Sequence, residues 1–136
     1  MGALRSHSPN RKDKDMKIFN RSVKISGKGC KLGFNDRATG TDKSQAITLN
    51  SVSGVIKSST TTLAAATTQA ITMTNQFVRA NSIILANVET AGTNGAPVLE
   101  EITCSAGQAV FKVRNVHASQ ALNAAYTIKF LIIDLD

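Results

Sequence analysis

The chain has 136 residues, 16 Lys and Arg against 9 Asp and Glu, and a formal net charge of +7. The imbalance is confined to residues 1–43, which hold eleven basic and four acidic residues, whereas residues 44–136 hold five of each sign. No apolar run approaches the ~20 residues of a membrane helix, no apolar stretch follows the basic N-terminus as a secretory signal requires, and Cys30 and Cys104 lack the spacing of a zinc site.

Residues 1–15 carry Pro9 and the run Arg11-Lys12-Asp13-Lys14-Asp15 with almost no apolar content, too little to offset the entropy of ordering. In 16–25, Phe19, Val23 and Ile25 share one parity and Asn20, Ser22 and Lys24 the other, the pattern of a weak strand. Gly27, Gly29, Gly33 and Gly40 then give the stretch up to Asp42 the composition of a linker. Composition thus divides the chain into a basic extended arm with its linker, residues 1–43, and a neutral domain, residues 44–136.

In the second part, Ala46–Leu49 and Gly54–Lys57 are short β-like runs, and residues 60–68 suit a turn or one helical turn. Ala70, Thr72 and Thr74 alternate with Ile71 and Met73. In Ser82–Val88 both parities are apolar, which predicts a strand covered on both sides. Asn94-Gly95 and Pro97 mark a loop. Strands follow at Val98–Cys104, at Ala109–Asn115 after a turn at Ala106-Gly107, and over Tyr126–Ile133. Seven or so short strands separated by turn signals predict an all-β fold, an antiparallel β-sandwich or jelly-roll-like domain. With five Phe, one Tyr and no Trp, its core is modest and its Thr-rich edges need covering. Both features favour an obligate oligomer, and we expect a homotrimer.

Titratable groups are too scattered to predict an enzyme. His7 lies in the arm, and His117 beside Ser119 reads as an ordinary loop residue. Glu100 and Glu101 are adjacent, which on a regular strand sends them to opposite faces. Asp134 and Asp136 suit a solvated chain end. Gly27-Lys28-Gly29-Cys30-Lys31-Leu32-Gly33 lacks the order of a phosphate loop. Both cysteines read as free thiols in a reducing host cytoplasm. No catalytic residue, metal site or cofactor is expected.

The arm is the feature with a functional reading. A purely solubilising tail is the plain alternative. Interleaved acids and the lack of nearby aromatics argue against nucleic acid, and the mixed signs suit a protein partner. Arg5, Arg11, Lys12, Lys14, Lys17 and Arg21 would supply polar contacts, with Phe19, Val23 and Ile25 the apolar ones. Such an arm can also add a strand to a neighbour's sheet edge.

The order of short elements from Ser44-Gln45-Ala46-Ile47-Thr48-Leu49-Asn50 and Ser53-Gly54-Val55-Ile56, through Thr62-Leu63-Ala64-Ala65, Ile71-Thr72-Met73-Thr74-Asn75 and Asn81-Ser82-Ile83-Ile84-Leu85, to Val113-Arg114-Asn115 and Ile128–Ile133, resembles a β-rich module of tailed-phage virion proteins. The likeness covers about residues 43–134, and no single motif in it is diagnostic. It implies a structural role in capsid fibres, decoration proteins or tail appendages, often as trimers. A compact domain with a short basic arm fits a head decoration or cement protein on the capsid surface, bound to the major capsid protein or another virion protein. The alternative is a receptor- or glycan-binding module of a head or tail fibre, using the loops at Glu89–Val98 and Asn115–Asn123.

Overall fold

A computed structural model describes residues 37–42, 45–60 and 62–134, all within one compact unit, Phe34–Asp136. The arm residues named above (Arg5, Arg11, Lys12, Lys14, Lys17, Phe19, Arg21, Val23 and Ile25), Cys30 and Asp136 lie outside the described residues.

Among the described residues eight strands follow in order: β1 (Arg37–Thr41), β2 (Ala46–Thr48), β3 (Ser53–Lys57), β4 (Thr68–Thr74), β5 (Ile83–Thr90), β6 (Pro97–Ser105), β7 (Gln108–Asn115) and β8 (Tyr126–Ile133). They form two four-stranded sheets, β1-β3-β8-β5 and β2-β4-β7-β6. The all-β sandwich expected from the alternating pattern is what forms. No helix among the described residues is long and apolar enough to cross a membrane.

Two details differ from expectation. Residues 37–41, read as linker, form β1, which lies parallel to β3; β2 likewise lies parallel to β4. The sheets are therefore mixed, and the remaining pairings are antiparallel. The cause is the path of the chain. From β1 to β5 each connection carries it from one sheet to the other, and two successive crossings restore its direction. Among the described strands only β6 and β7 form a hairpin, joined through Ala106 and Gly107 with Ser105 opposite Gln108. Gly107 has φ 76° there, a conformation that favours glycine.

The core lies between the sheets. The first contributes Ile56, Tyr126, Ile128, Phe130 and Ile132, and the second Ile71, Met73, Ala109, Phe111 and Val113. The rings of Phe111 and Phe130 meet across the gap at 6.1 Å between centroids, tilted by 47°. Tyr126 donates its hydroxyl hydrogen to Gln69 Oε1 across the same gap at 2.7 Å. Gly54 sits opposite Phe130, and a Cβ there would lie 2.8 Å from that ring.

A β-bulge between Leu99 and Glu101 corrects one further expectation. Leu99 pairs with buried Val113, and Glu101 with the outward Lys112. The extra residue, Glu100, breaks the two-residue alternation, so both glutamates point outward instead of to opposite faces.

Candidate interaction surfaces

Three surfaces of the sandwich differ in chemistry. The outer face of the first sheet is built by the residues of β3, β5 and β8 that alternate with the core set. Leu85 stands opposite Leu131 and Ile83 opposite Ile133, and Val55 lies opposite Lys129. Leu85 is 55% exposed, Ile83 43% and Ile133 39%. The face carries one ion pair, Lys129 Nζ to Glu89 Oε1 at 2.6 Å. Shallow depressions of about 330 and 410 Å³ flank Lys129, one lined by Ser53, Gly54 and Val55 and the other by Leu85, Ala86, Asn87 and Leu131. The two-sided cover expected for Ser82–Val88 is thus present on one side only: Ile84, Ala86 and Val88 pack against the core, and Ile83 and Leu85 face outward.

The second sheet presents charge. Lys112 pairs with Glu101 and Arg114 with Glu100, and Thr68 donates to Glu100 Oε2 at 2.9 Å. The hydrogen bond from Lys112 to Glu101, with that carboxylate's charge, holds the Lys112 ammonium above its ordinary pKa. Both glutamates are neutralised in place, as a solvent-facing strand pair requires.

The third surface is the end of the sandwich where the loops proposed for receptor contact lie. The structure brings them together. Asn123 Oδ1 accepts the N–H groups of Thr93 and Asn94 at 3.0 and 3.2 Å, and Val116 N–H bonds to Ala96 O at 2.9 Å. Buried Asn115 ties in a third segment. Its Nδ2 donates to Leu63 O at 3.0 Å, Ala64 O at 3.3 Å and Gln120 O at 2.8 Å, while its Oδ1 accepts Ala96 and His117 N–H at 2.9 and 3.1 Å. Gly95 fits the same knot: its φ is +76°, and a Cβ would stand 2.7 Å from Leu122 Cδ2. Asn75 holds the opposite end, donating to Ser51 O at 2.7 Å and accepting Phe77 N–H at 2.9 Å.

The remaining polar groups serve local structure. His117 Nδ1 accepts the N–H groups of Ser119 and Gln120 at 3.2 and 2.9 Å, so that nitrogen is committed to shaping its loop and Ser119 is held by its backbone. Asp134 pairs with Arg79 at 3.2 Å. Burial pushes the thiol of Cys104, a free cysteine, above its usual pKa and keeps it protonated. Burial also pushes the Tyr126 phenol up to about 12; a bond to Ser58 opposes this shift and the charge of Asp42 adds to it. Asp42 is itself buried, with Oδ1 accepting Ser59 N–H at 2.7 Å and Oδ2 unpartnered.

A groove of about 540 Å³ runs between the edge strands β1 and β2 and is lined by Thr39, Gly40, Thr41, Ile47, Leu49 and Thr74 among others. Among the described residues no group of three or more His, Cys, Asp or Glu is placed to hold a metal ion. The predicted arm contacts cannot be located on these surfaces, because all nine lie outside the described residues. The sequence reading missed Asn115 as a structural tie. Its only signal was a polar residue on the parity of Ala109, Phe111 and Val113, the buried side of β7. No family model, curated protein or solved structure matches the chain.

Proposed function

We propose that this chain is a non-enzymatic structural protein of a phage virion, a head decoration or cement protein that trimerises and attaches to the capsid through its basic N-terminal arm. The observation that carries this reading is the open apolar face of the first sheet, on a domain whose portion of the chain has no net charge, preceded by a segment that holds all of the +7. A neutral sandwich with one apolar face is suited to packing against protein, and a separate charged segment provides a second, independent attachment. Binding to the assembled shell and not to its free subunits stabilises the shell by mass action. Arg5, Arg11, Lys12, Lys14, Lys17 and Arg21 supply the polar contacts in this scheme, and Phe19, Val23 and Ile25 the apolar ones.

Co-sedimentation with expanded phage heads tests the reading. The full chain is expected in the pellet, and a variant carrying Arg11→Glu, Lys12→Glu and Lys14→Glu in the supernatant with its circular dichroism unchanged. Equal pelleting of the two proteins would overturn arm-mediated attachment.

A receptor- or glycan-binding role is the second reading, favoured by the convergence of the Glu89–Val98 and Asn115–Asn123 loops at one end. Binding of the full chain to host cells, lost on Asn94→Ala and Ser119→Ala substitution and indifferent to the arm, would favour it over the first.

A further inference from the structure

At the loop end of the sandwich, one asparagine has no structural task. Asn94 is exposed, its φ is not positive, and its side chain makes no hydrogen bond among the described residues. The other asparagines of that end are occupied. Asn115 is buried in the hydrogen bonds that tie three segments together. Asn123 accepts the N–H groups of Thr93 and Asn94 and donates to Thr93 Oγ1 at 3.1 Å.

The residue after Asn94 gives that amide a reaction. Asparagine is a thermolabile side chain, and Asn94 is the only asparagine of the chain followed by glycine. Packing fixes the glycine. Gly95 has φ +76°, and a Cβ there would stand 2.7 Å from Leu122 Cδ2 and 3.0 Å from Leu122 N. The N–H groups on either side are held, Asn94 by Asn123 Oδ1 and Ala96 by Asn115 Oδ1. Gly95 N–H makes no hydrogen bond among the described residues. A backbone nitrogen that is neither bonded nor shielded by a side chain of its own therefore follows a solvated side-chain amide.

We infer that Asn94 is a site of spontaneous covalent modification, in which Gly95 N attacks Asn94 Cγ and the loop end acquires a carboxylate with age. The bond from Gly95 N to Cγ forms, the Cγ–Nδ2 bond breaks, and the proton lost by Gly95 N leaves with the amide nitrogen as ammonia. Water then opens the succinimide ring at either carbonyl, giving aspartate or isoaspartate. Residues 91–97 and 115–125 contain no Asp, Glu, Lys or Arg, so either product sets the first such charge on these loops. Isoaspartate also routes the main chain through Cβ, adding a backbone atom between the N–H groups that Asn123 and Asn115 hold. The chemistry does not depend on the proposed function. If these loops meet a receptor, the new and the aged chain present it with different surfaces.

Ageing of the full chain in mildly alkaline buffer, followed by peptide mass spectrometry, tests it. The peptide that holds Asn94 gains the mass difference between an amide and a carboxylic acid. Fragment spectra place the change at Asn94 and not at Asn81 or Asn87, which precede Ser82 and Val88. Part of the product is a substrate for protein isoaspartate methyltransferase, the mark of the ring intermediate. The aged protein also elutes earlier from a cation-exchange column, having lost one unit of positive net charge. Asn94→Gln, whose longer side chain disfavours ring closure, keeps its mass and elution over the same period and has the circular dichroism of the wild type. Three results would each overturn the inference. They are an Asn94 that stays unaltered in the folded chain once the guanidinium-unfolded chain has converted, conversion that yields no isoaspartate, and equal conversion at Asn81 and Asn87.

Discussion

The two sheets share one core and part company on their outer sides. β4, β6 and β7 turn Thr, Glu, Lys and Arg outward and pair the charges across strands. β5 and β8 turn Ile83, Leu85, Leu131 and Ile133 outward around a single ion pair. A sheet covered on one side alternates apolar and polar residues, and the second sheet follows that rule. The first breaks it at the β5 edge and at the last residues of β8. Alternation thus separates a residue that faces some neighbour from one that faces water, and says nothing of whether the neighbour belongs to the same chain.

Breaking what the sheets share should have the largest effect. Phe111→Ala removes the ring that meets Phe130 across the gap and should cost about 3–5 kcal/mol in urea unfolding; a loss under about 1 kcal/mol would mean that the sheets are held together elsewhere. Next comes the tie at the loop end. Asn115→Ala leaves the N–H of Ala96 and the carbonyls of Leu63 and Gln120 without their partner, and should cost about 2–3 kcal/mol by the same measurement.

The second bond across the gap is open to pH. The folded state holds the Tyr126 proton more tightly than the unfolded chain does. Its contribution is therefore complete below the ordinary tyrosine value of 10.0 and is lost as pH rises to about 12. Thermal melts should fall over that window, and Tyr126→Phe should flatten the fall while costing about 1–2 kcal/mol at neutral pH, because buried Gln69 Oε1 loses its donor. The smallest effect belongs to the charged face. Arg114→Ala should leave the unfolding midpoint where it is, because exposed ion pairs gain little net energy. A clear drop there, insensitive to salt, would show that the second sheet's outer side is more than a solvated surface.

Much of this architecture was legible in the sequence because the strands that build the core have strong two-residue periods. TQAITMT and YTIKFLII place Ile71, Met73, Ile128 and Phe130 inward as their spacing predicts. β1 was not legible: RATGT has no apolar residue larger than alanine, and it is held by its ladder with β3 and by Ala38 against the core. Glu100 and Glu101 misled for a different reason. A bulge is a property of the ladder between β6 and β7, and neither strand announces it by itself. The tie made by Asn115 was equally hidden, since its partners Leu63, Ala96 and Gln120 come from three separate segments. For the interaction surfaces, the sequence marked Ile83 and Leu85 as apolar but could not distinguish a buried strand face from an open one.

The extra residue at Glu100 also changes what the free edge of β6 offers to another strand. A strand arriving at β6 would find its ladder in phase for only a few residues, then two consecutive carboxylate side chains and a shifted row of hydrogen-bonding groups. Sheet growth from that side ends where it begins. One glutamate therefore makes the β6 edge a poor template for a further strand.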